Sequence, residues 1–590
     1  MKSKILWLLV SCLLVAGLVL ASCAPAVVEE EEEVVTPVVE EEEEEVVEEE
    51  VAPTEKGPQY GGTLVALSSR LAPKAASVGD TAKCAWQQEE LTNYYMEHLC
   101  IGDIQKGPRG TNEYAFSEST NIPYAHIKGA LAESWEWTEP GIQIFHIRQG
   151  VRWMDKPGVM SARELTAEDC AFALSRTFFE GTRPHTYRDS IKSITAPDKY
   201  TLKIEYQLDF YGDWGYLVGW GYYGQIYPPE MVEAGAANWR NACGTGPFMV
   251  TDYVPDSSYT FERNPNWWNK AIVDGKEYQV PFVDKVIYPI IKDLSTQIAA
   301  LRTAKVDWAV FIAAEYTESL AETNPELQRW PLLYSGALNV GMRCDLEPYS
   351  DKRVRRAMSM AIDRQAFIDT IYGGAGEFLS WSFYSGWPET LYTPVDKLPE
   401  STRELFEYNP EKAKQLLAEA GYPDGFKTNV VLPSIPAEMD AMAFCADYWA
   451  KIGVECELIV KDYASYTSFV LGKKHDQMGE YSNTCSTPLG GILKKTQVGH
   501  PHNLACWEDA EFLELYFQAA EEPDLVKRDK SLKAMHIRFL DECPYVVLPS
   551  QYFYNYAHPW VKNYYGENSL GAWGRGHIIA EIWIDKELKK

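Results

Sequence analysis

The sequence predicts an α/β fold divided into more than one lobe, and three observations carry that prediction. Residues 428–432 read as a strand, 437–451 as a helix and 454–460 as a strand, a β-α-β unit that needs a crossover and pairs its strands in parallel. Other stretches rich in β-branched and aromatic residues are interspersed with capped helical patterns, with no internal repeat. Residues 57–590 are too many for one hydrophobic core and enough for two or three.

Taken in order, Gly61-Gly62 makes a turn into a strand over 63–67, and IQIFHIR (142–148) and TLKIEY (201–206) read as further strands. Thr166 and Asp169 stand three apart before an apolar run to Phe179, the signature of a capping box. Val354, Ala357, Met358, Ala361, Ile362 and Ile368 keep the spacing of one helix, which Gly373-Gly374 closes. Asn409 caps the next helix, with Pro410 in its first turn and Glu411 at the positive end of its dipole. Gly421 ends that helix at Ala420.

The N-terminus has a different character. Lys2 and Lys4 precede an almost wholly apolar run of sixteen residues (5–20), and Leu20-Ala21-Ser22 leads into Cys23. A basic start, a short apolar core and a small-residue site describe an export signal, and the run is short for a membrane span, which needs about 20 residues. From Glu29 to Glu50 there are 14 glutamates. Charge this dense repels itself, so the segment is expected to be an extended, disordered spacer.

Net charge is −30, of which Ala24 to Lys56 supplies 15 Glu against one Lys. The remainder is still acidic, which argues against nucleic acid as a partner. Aromatic residues reach 13%, with 19 Trp and 36 Tyr, a supply suited to organic ligands as well as to core. Beyond Cys12 and Cys23 the chain has ten cysteines, at 84, 100, 170, 243, 344, 445, 456, 485, 506 and 543. They form no CxxC pair, so zinc and dithiol redox chemistry are not indicated, and bridges and buried thiols both stay open.

No GxxxxGKS or GxxxxGKT stretch is present, nor GxSxG or HExxH, and Gly244-Thr-Gly246 runs into Pro247 rather than a helix. P-loop hydrolysis and a dinucleotide fingerprint are thereby excluded. His500 and His502 lie in a Gly/Pro-rich loop and are expected to be exposed loop residues, not metal ligands. No carboxylate pair stands out among the 85 acids as a glycosidase pair. The chain therefore reads as a binder that needs neither cofactor nor metal, not as an enzyme. A secreted polymer hydrolase on the same lobes is the alternative, and separated carboxyl pKa values in its cleft would reveal it.

Eight stretches resemble one family in its order: GGTLVAL (61–67), LAESWEWTEPGIQIFHIRQGVRWMD (131–155), LTAEDCAFALSR (165–176), ITAPDKYTLKIEY (194–206), GTGPFMVTDYVPDSSYTFERNPNWW (244–268), VRRAMSMAIDRQAF (354–367), YNPEKAKQLLAEAGYPDGF (408–426) and AKIGVECELIVKD (450–462). They are similar to the extracellular solute-binding proteins of family 5, the dipeptide, oligopeptide and nickel type that feeds ABC importers. The Leu-Ala-Ser-Cys quartet resembles a bacterial lipoprotein signal. The resemblance implies a two-lobed periplasmic-binding-protein-like fold with a subdomain on the first lobe and a ligand held by hinge closure. It further implies lipid on Cys23, an extracytoplasmic monomer, and delivery to membrane permease subunits served by separate ATPases. A sensing receptor without import would share these features. The expected layout is a signal peptide (1–22), a lipidated tether (23–56), lobe I (57–292 with 485–590) and lobe II (293–484).

Two departures stand out. The turn MDKPGVMSARE (154–164) is longer than the family's, and the Asp-Tyr-Pro-Asp-Pro-like stretch of peptide binders is replaced by GEYSNTCSTPLGG (479–491). The acid that pairs with a peptide's amine is thus missing, and Glu480 either takes its place or faces solvent. Ligand-binding candidates are the glycine-flanked clusters Trp220, Tyr222, Tyr223 and Trp381, Phe383, Tyr384, with Tyr481 and Asn483. These rings and polar groups suit an oligopeptide or, alternatively, an oligosaccharide.

Overall fold

The computed structural model describes residues 57–68, 79–83, 89–117, 122–181, 190–207, 213–484, 487–497 and 499–589. The signal peptide, Cys23 and the glutamate tether lie outside the described residues.

The chain opens on β1 (Thr63–Ser68) and then builds a separate four-stranded sheet from β2 (Ala132–Glu139), β3 (Ile142–Ile147), β4 (Ile191–Asp198) and β5 (Thr201–Tyr206), in the order β2-β3-β5-β4. It returns to β1 through β6 (Phe248–Val254), β7 (Ser258–Arg263), β8 (Lys285–Pro289), β9 (Trp308–Ala313) and β10 (Gln328–Leu333). Lobe II follows with β11 (Gly336–Met342), β12 (Phe426–Pro433), β13 (Val454–Lys461), β14 (Met478–Thr484) and β15 (Tyr545–Val547), before β16 (Ser550–Ala557) returns to lobe I. The eight-stranded first sheet runs β10-β16-β9-β1-β8-β7-β6, with Gly376–Glu377 added on β16. The second sheet runs β13-β12-β14-β11-β15.

The lobe boundaries differ from the sequence expectation. β9 and β10 pair with lobe I strands, so the chain leaves lobe I at Tyr334-Ser335, not at 292–293. The described residues from Leu489 to Val547 pack with lobe II, and the return falls at Leu548-Pro549. Asp293, where the resemblance placed the boundary, instead caps a helix, its carboxylate accepting from Thr296 N at 2.7 Å. That cap starts a helix inside lobe I. The two crossings lie side by side: Ser550 Oγ donates to Gly336 O at 2.5 Å, and Leu548 N to Leu338 O at 3.0 Å.

Most of the local predictions are met by these elements, and one is corrected. α1 (Ala167–Ser175) carries its capping box, with Asp169 N donating to Thr166 Oγ1 at 3.4 Å and Thr166 N to the Asp169 carboxylate at 2.9 Å. The expected single helix over 354–368 is two, α2 (Lys352–Met360) and α3 (Arg364–Ile371). The break has a cause in Asp363, whose carboxylate accepts from Ala366 N at 2.9 Å and so starts a new helix. α4 (Pro410–Glu419) starts on the Asn409 cap, and Gly421 follows its end with φ of 97°. β12 and β13 are parallel across α5 (Pro436–Ala450), as the β-α-β reading requires.

Each lobe has its own core. Lobe I buries Leu64, Phe145, Tyr259 and Trp308 among others. Lobe II buries a continuous set from Ala337 to Leu548.

Candidate functional site

Where the lobes meet, a cavity of about 160 Å³ is lined from both sides. Lobe I contributes Tyr124, Asp213, Tyr216 and Trp220; lobe II contributes Trp387, Thr487, Arg528 and Asp529. A larger hollow of about 610 Å³ lies mainly on lobe II around Gln365, Phe378 and Arg403, with Gly376 and Glu377 of the strand added to the first sheet on its wall. The smaller cavity is the candidate site because aromatic and charged side chains of both lobes line it.

The lobe I wall follows from glycines in DWGYLVGWGYYG (213–224). The Trp220 ring lies over Gly215, where a Cβ would stand 2.1 Å from the indole, and Gly221 sits against the Tyr216 carbonyl at 1.8 Å from its would-be Cβ. Larger residues at either position would push the rings out of place. Trp220 then meets Trp214 (5.9 Å between ring centroids) and Tyr124 (5.4 Å) edge to face, an aromatic wall only 1% exposed at Trp220.

The lobe II wall is Trp387, backed by Phe383 at 5.8 Å and Tyr384 at 6.5 Å. Beside it α6 (Pro488–Thr496) points its N-terminus at lobe I. Asp213 meets that terminus: Thr487 Oγ1 donates to its carboxylate at 2.8 Å and Gly490 N at 3.3 Å. A lobe I acid thus caps a lobe II helix, where backbone N–H groups and the helix dipole favour negative charge. On α7 (Leu525–Glu542), Arg528 pairs with Asp529 at 2.8 Å. Burial opposes the Arg528 charge, and Asp529, Tyr124 and Asp213 together outweigh it and raise its pKa.

Among the residues singled out from sequence, Trp220 lines the cavity and the others stand back from it. Tyr222 and Tyr223 pack edge to face on Tyr216 at 5.6 and 6.1 Å, and the Tyr222 hydroxyl accepts from the Trp573 indole. Trp381, Phe383 and Tyr384 are buried in the lobe II core. Trp381 joins Tyr481 and Tyr545 around the buried Lys495 ammonium, at 4.7, 5.4 and 5.6 Å from the ring centroids. Asn483 pairs with Ala337 through the β14–β11 backbone; its side chain lies outside the described set. The residues that sequence reasoning missed are Asp213, Trp387, Thr487 and Arg528. Trp387 carried a signal, since Gly386 and Pro388 flank it as glycines flank Trp220.

Two expectations are corrected. Glu480 is fully buried, not solvent-facing, and burial together with Glu438 raises its carboxyl well above the usual range. It lies on β14 opposite Val340, with Tyr466 donating to its carbonyl. His500 is buried rather than exposed, its ring 5.5 Å from that of half-buried His502. No cluster of three or more metal-ligating side chains occurs among the described residues.

Two lobes joined by adjacent crossings, with a cavity lined from both, define a hinged binding protein. The chain belongs to the bacterial extracellular solute-binding proteins, family 5, whose profile matches residues 126–484. Among its relatives, heme-binding protein A of Haemophilus influenzae is 27% identical, over 74% of this chain and 81% of the relative. The dipeptide-binding protein of Escherichia coli K12 is 25% identical, over 74% and 83% respectively. The structure of HbpA2 from Haemophilus parasuis superposes with a TM-score of 0.70 at 21% identity, covering 89% of this chain and all of that one. The family's members are binding proteins, and the two-lobed periplasmic-binding-protein fold is theirs.

Proposed function

We propose that this chain is the lipid-anchored receptor of an ABC importer and captures a peptide-type solute by closing its lobes. The inter-lobe cavity, with aromatic walls from both sides, is the observation that carries the reading. A solute touching Trp220 and Trp387 together interacts with the closed arrangement more strongly than with an open one, and only such a difference drives closure. Residues 1–22 serve as the export signal, Cys23 bears the lipid, and the glutamate tether lets the receptor range beside its permease. Delivery to permease subunits with separate ATPases then follows, and the receptor itself turns over neither ATP nor solute.

The relatives' names offer both peptide and haem. Haem iron is usually held by histidine, cysteine or methionine, with tyrosine a further donor. Of these, only tyrosines occur among the described residues lining the cavity, which favours the peptide-type solute.

Native mass spectrometry of protein purified without denaturation tests the reading. A co-purifying peptide whose removal expands the molecule in small-angle scattering is the expected result. A bound solute with no effect on compactness would remove hinge closure from the proposal. Cys23→Ser is expected to move the receptor from the membrane to the soluble fraction, and persistent membrane association after signal cleavage would overturn the anchor.

A further inference from the structure

Two tryptophans on opposite lobes share an unusual feature. Trp220 and Trp387 are 1% and 6% exposed, both line the inter-lobe cavity, and neither indole N–H meets an acceptor within the protein. An indole nitrogen can only donate. Buried donors are normally paired, and leaving one unpaired costs about 1–3 kcal/mol. One orphaned donor could be tolerated strain; one from each lobe, on the same cavity, is an arrangement for binding.

The charges around them narrow the ligand further. Asp213 already accepts from Thr487 and Gly490, and Arg528 is already held by Asp529. The two carboxylates outnumber the guanidinium, which disfavours an anion between them. Asp213 Oδ2 and Asp529 Oδ1 are engaged with donors of the protein, which disfavours a ligand ammonium at those oxygens. The cavity holds roughly five water volumes of about 30 Å³ each, room for one planar amide-sized group.

We infer that Trp220 and Trp387 form a two-lobe donor pair that grips a neutral carbonyl group of the solute, an internal amide and not a charged terminus. This rests on the receptor reading and deepens it. The carbonyl oxygen becomes the polar link that closure completes, while the rings cover its apolar neighbours. Specificity then lies in the middle of the solute.

The test uses N-methylacetamide as a neutral carbonyl probe, with acetate and methylammonium as charged controls. The full-length protein, labelled with ¹⁵N in its indoles, is titrated and its indole N–H resonances followed, Trp220→Phe and Trp387→Phe supplying the assignments. N-Methylacetamide is expected to move both resonances downfield, with the two ions much less effective. Replacing either tryptophan by its benzothienyl isostere, which keeps the ring and lacks the N–H, is expected to weaken the probe about two- to tenfold. Unmoved indoles, equal responses to acetate or methylammonium, or isosteres that bind N-methylacetamide as well as the parent would each overturn the inference. The two readings fail separately. A co-purified solute that compacts a protein whose indoles ignore N-methylacetamide leaves the receptor standing and removes the donor pair. Indoles that respond in a protein that no solute compacts do the reverse.

Discussion

The two glycine-flanked aromatic clusters look alike in sequence, and the fold uses them differently. WGYYG (220–224) places Trp220 on the inter-lobe cavity, with Tyr222 and Tyr223 behind it on Tyr216. WSFY (381–384) is turned into lobe II, where Trp381 covers Lys495 and only Trp387, three residues beyond the cluster, reaches the cavity. Glycine beside an aromatic residue thus announces that a ring packs closely against backbone. It does not tell whether the ring's other face meets a ligand or a core. The difference between the clusters lies in what their neighbours cover: Trp220 stands at the lobe edge, while α6 and α7 close over Trp381.

Truncating each cluster should separate them. Trp381→Ala is expected to show the largest effect, a loss of about 3–5 kcal/mol of lobe II stability in urea unfolding, from the cavity left in a packed core. If Trp381→Ala unfolds like the parent but no longer binds solute, the clusters are equivalent after all.

Acidification acts on the same cluster. Ser382 N donates to His536 Nε2 at 2.8 Å, and burial lowers the His536 pKa to about 4. The folded value lies below the unfolded one of about 6.5, so this stabilisation is complete above that pH and is lost as pH falls toward about 4. At about 1.4 kcal/mol per unit, the loss approaches 3 kcal/mol. Urea titrations at pH 7 and pH 4.5 should show lobe II weakening, and a His536→Gln variant with an undiminished pH response would refute the assignment.

Asp213 belongs to the Trp220 side and links the lobes directly. Asp213→Ala removes two hydrogen bonds to a carboxylate and should favour the open arrangement by about 2–3 kcal/mol. The expected signature is a larger radius of gyration without solute, at nearly unchanged unfolding midpoints of the separate lobes. A variant as compact as the parent would show that closure does not depend on this cap.

The smallest effect is expected at Tyr222, behind the cavity wall. Tyr222→Phe deletes the acceptor of the Trp573 indole and should cost about 1 kcal/mol of lobe I stability, with little change in solute affinity. A large affinity loss there, measured calorimetrically, would move Tyr222 from support to contact.

Taken by itself, the sequence determined the local structure and the class. The Thr166–Asp169 box, the Asn409-Pro410 start and the β-α-β unit over 428–460 are short-range patterns, and caps and periodicity act within a few residues. Their order along the chain also carried the family. Tertiary structure alone decided where the lobes divide, because strand order depends on pairings between residues far apart, such as β10 with β16. It also decided the site. Asp213, Trp220, Trp387 and Arg528 span more than three hundred positions of sequence and meet only because both lobes fold and close. Glu480 makes the same point from the other direction: its charge is plain in the sequence, but only packing beneath α5 sets it apart from water and raises its pKa. Local chemistry is written residue by residue, whereas burial and convergence are properties of the whole assembled chain.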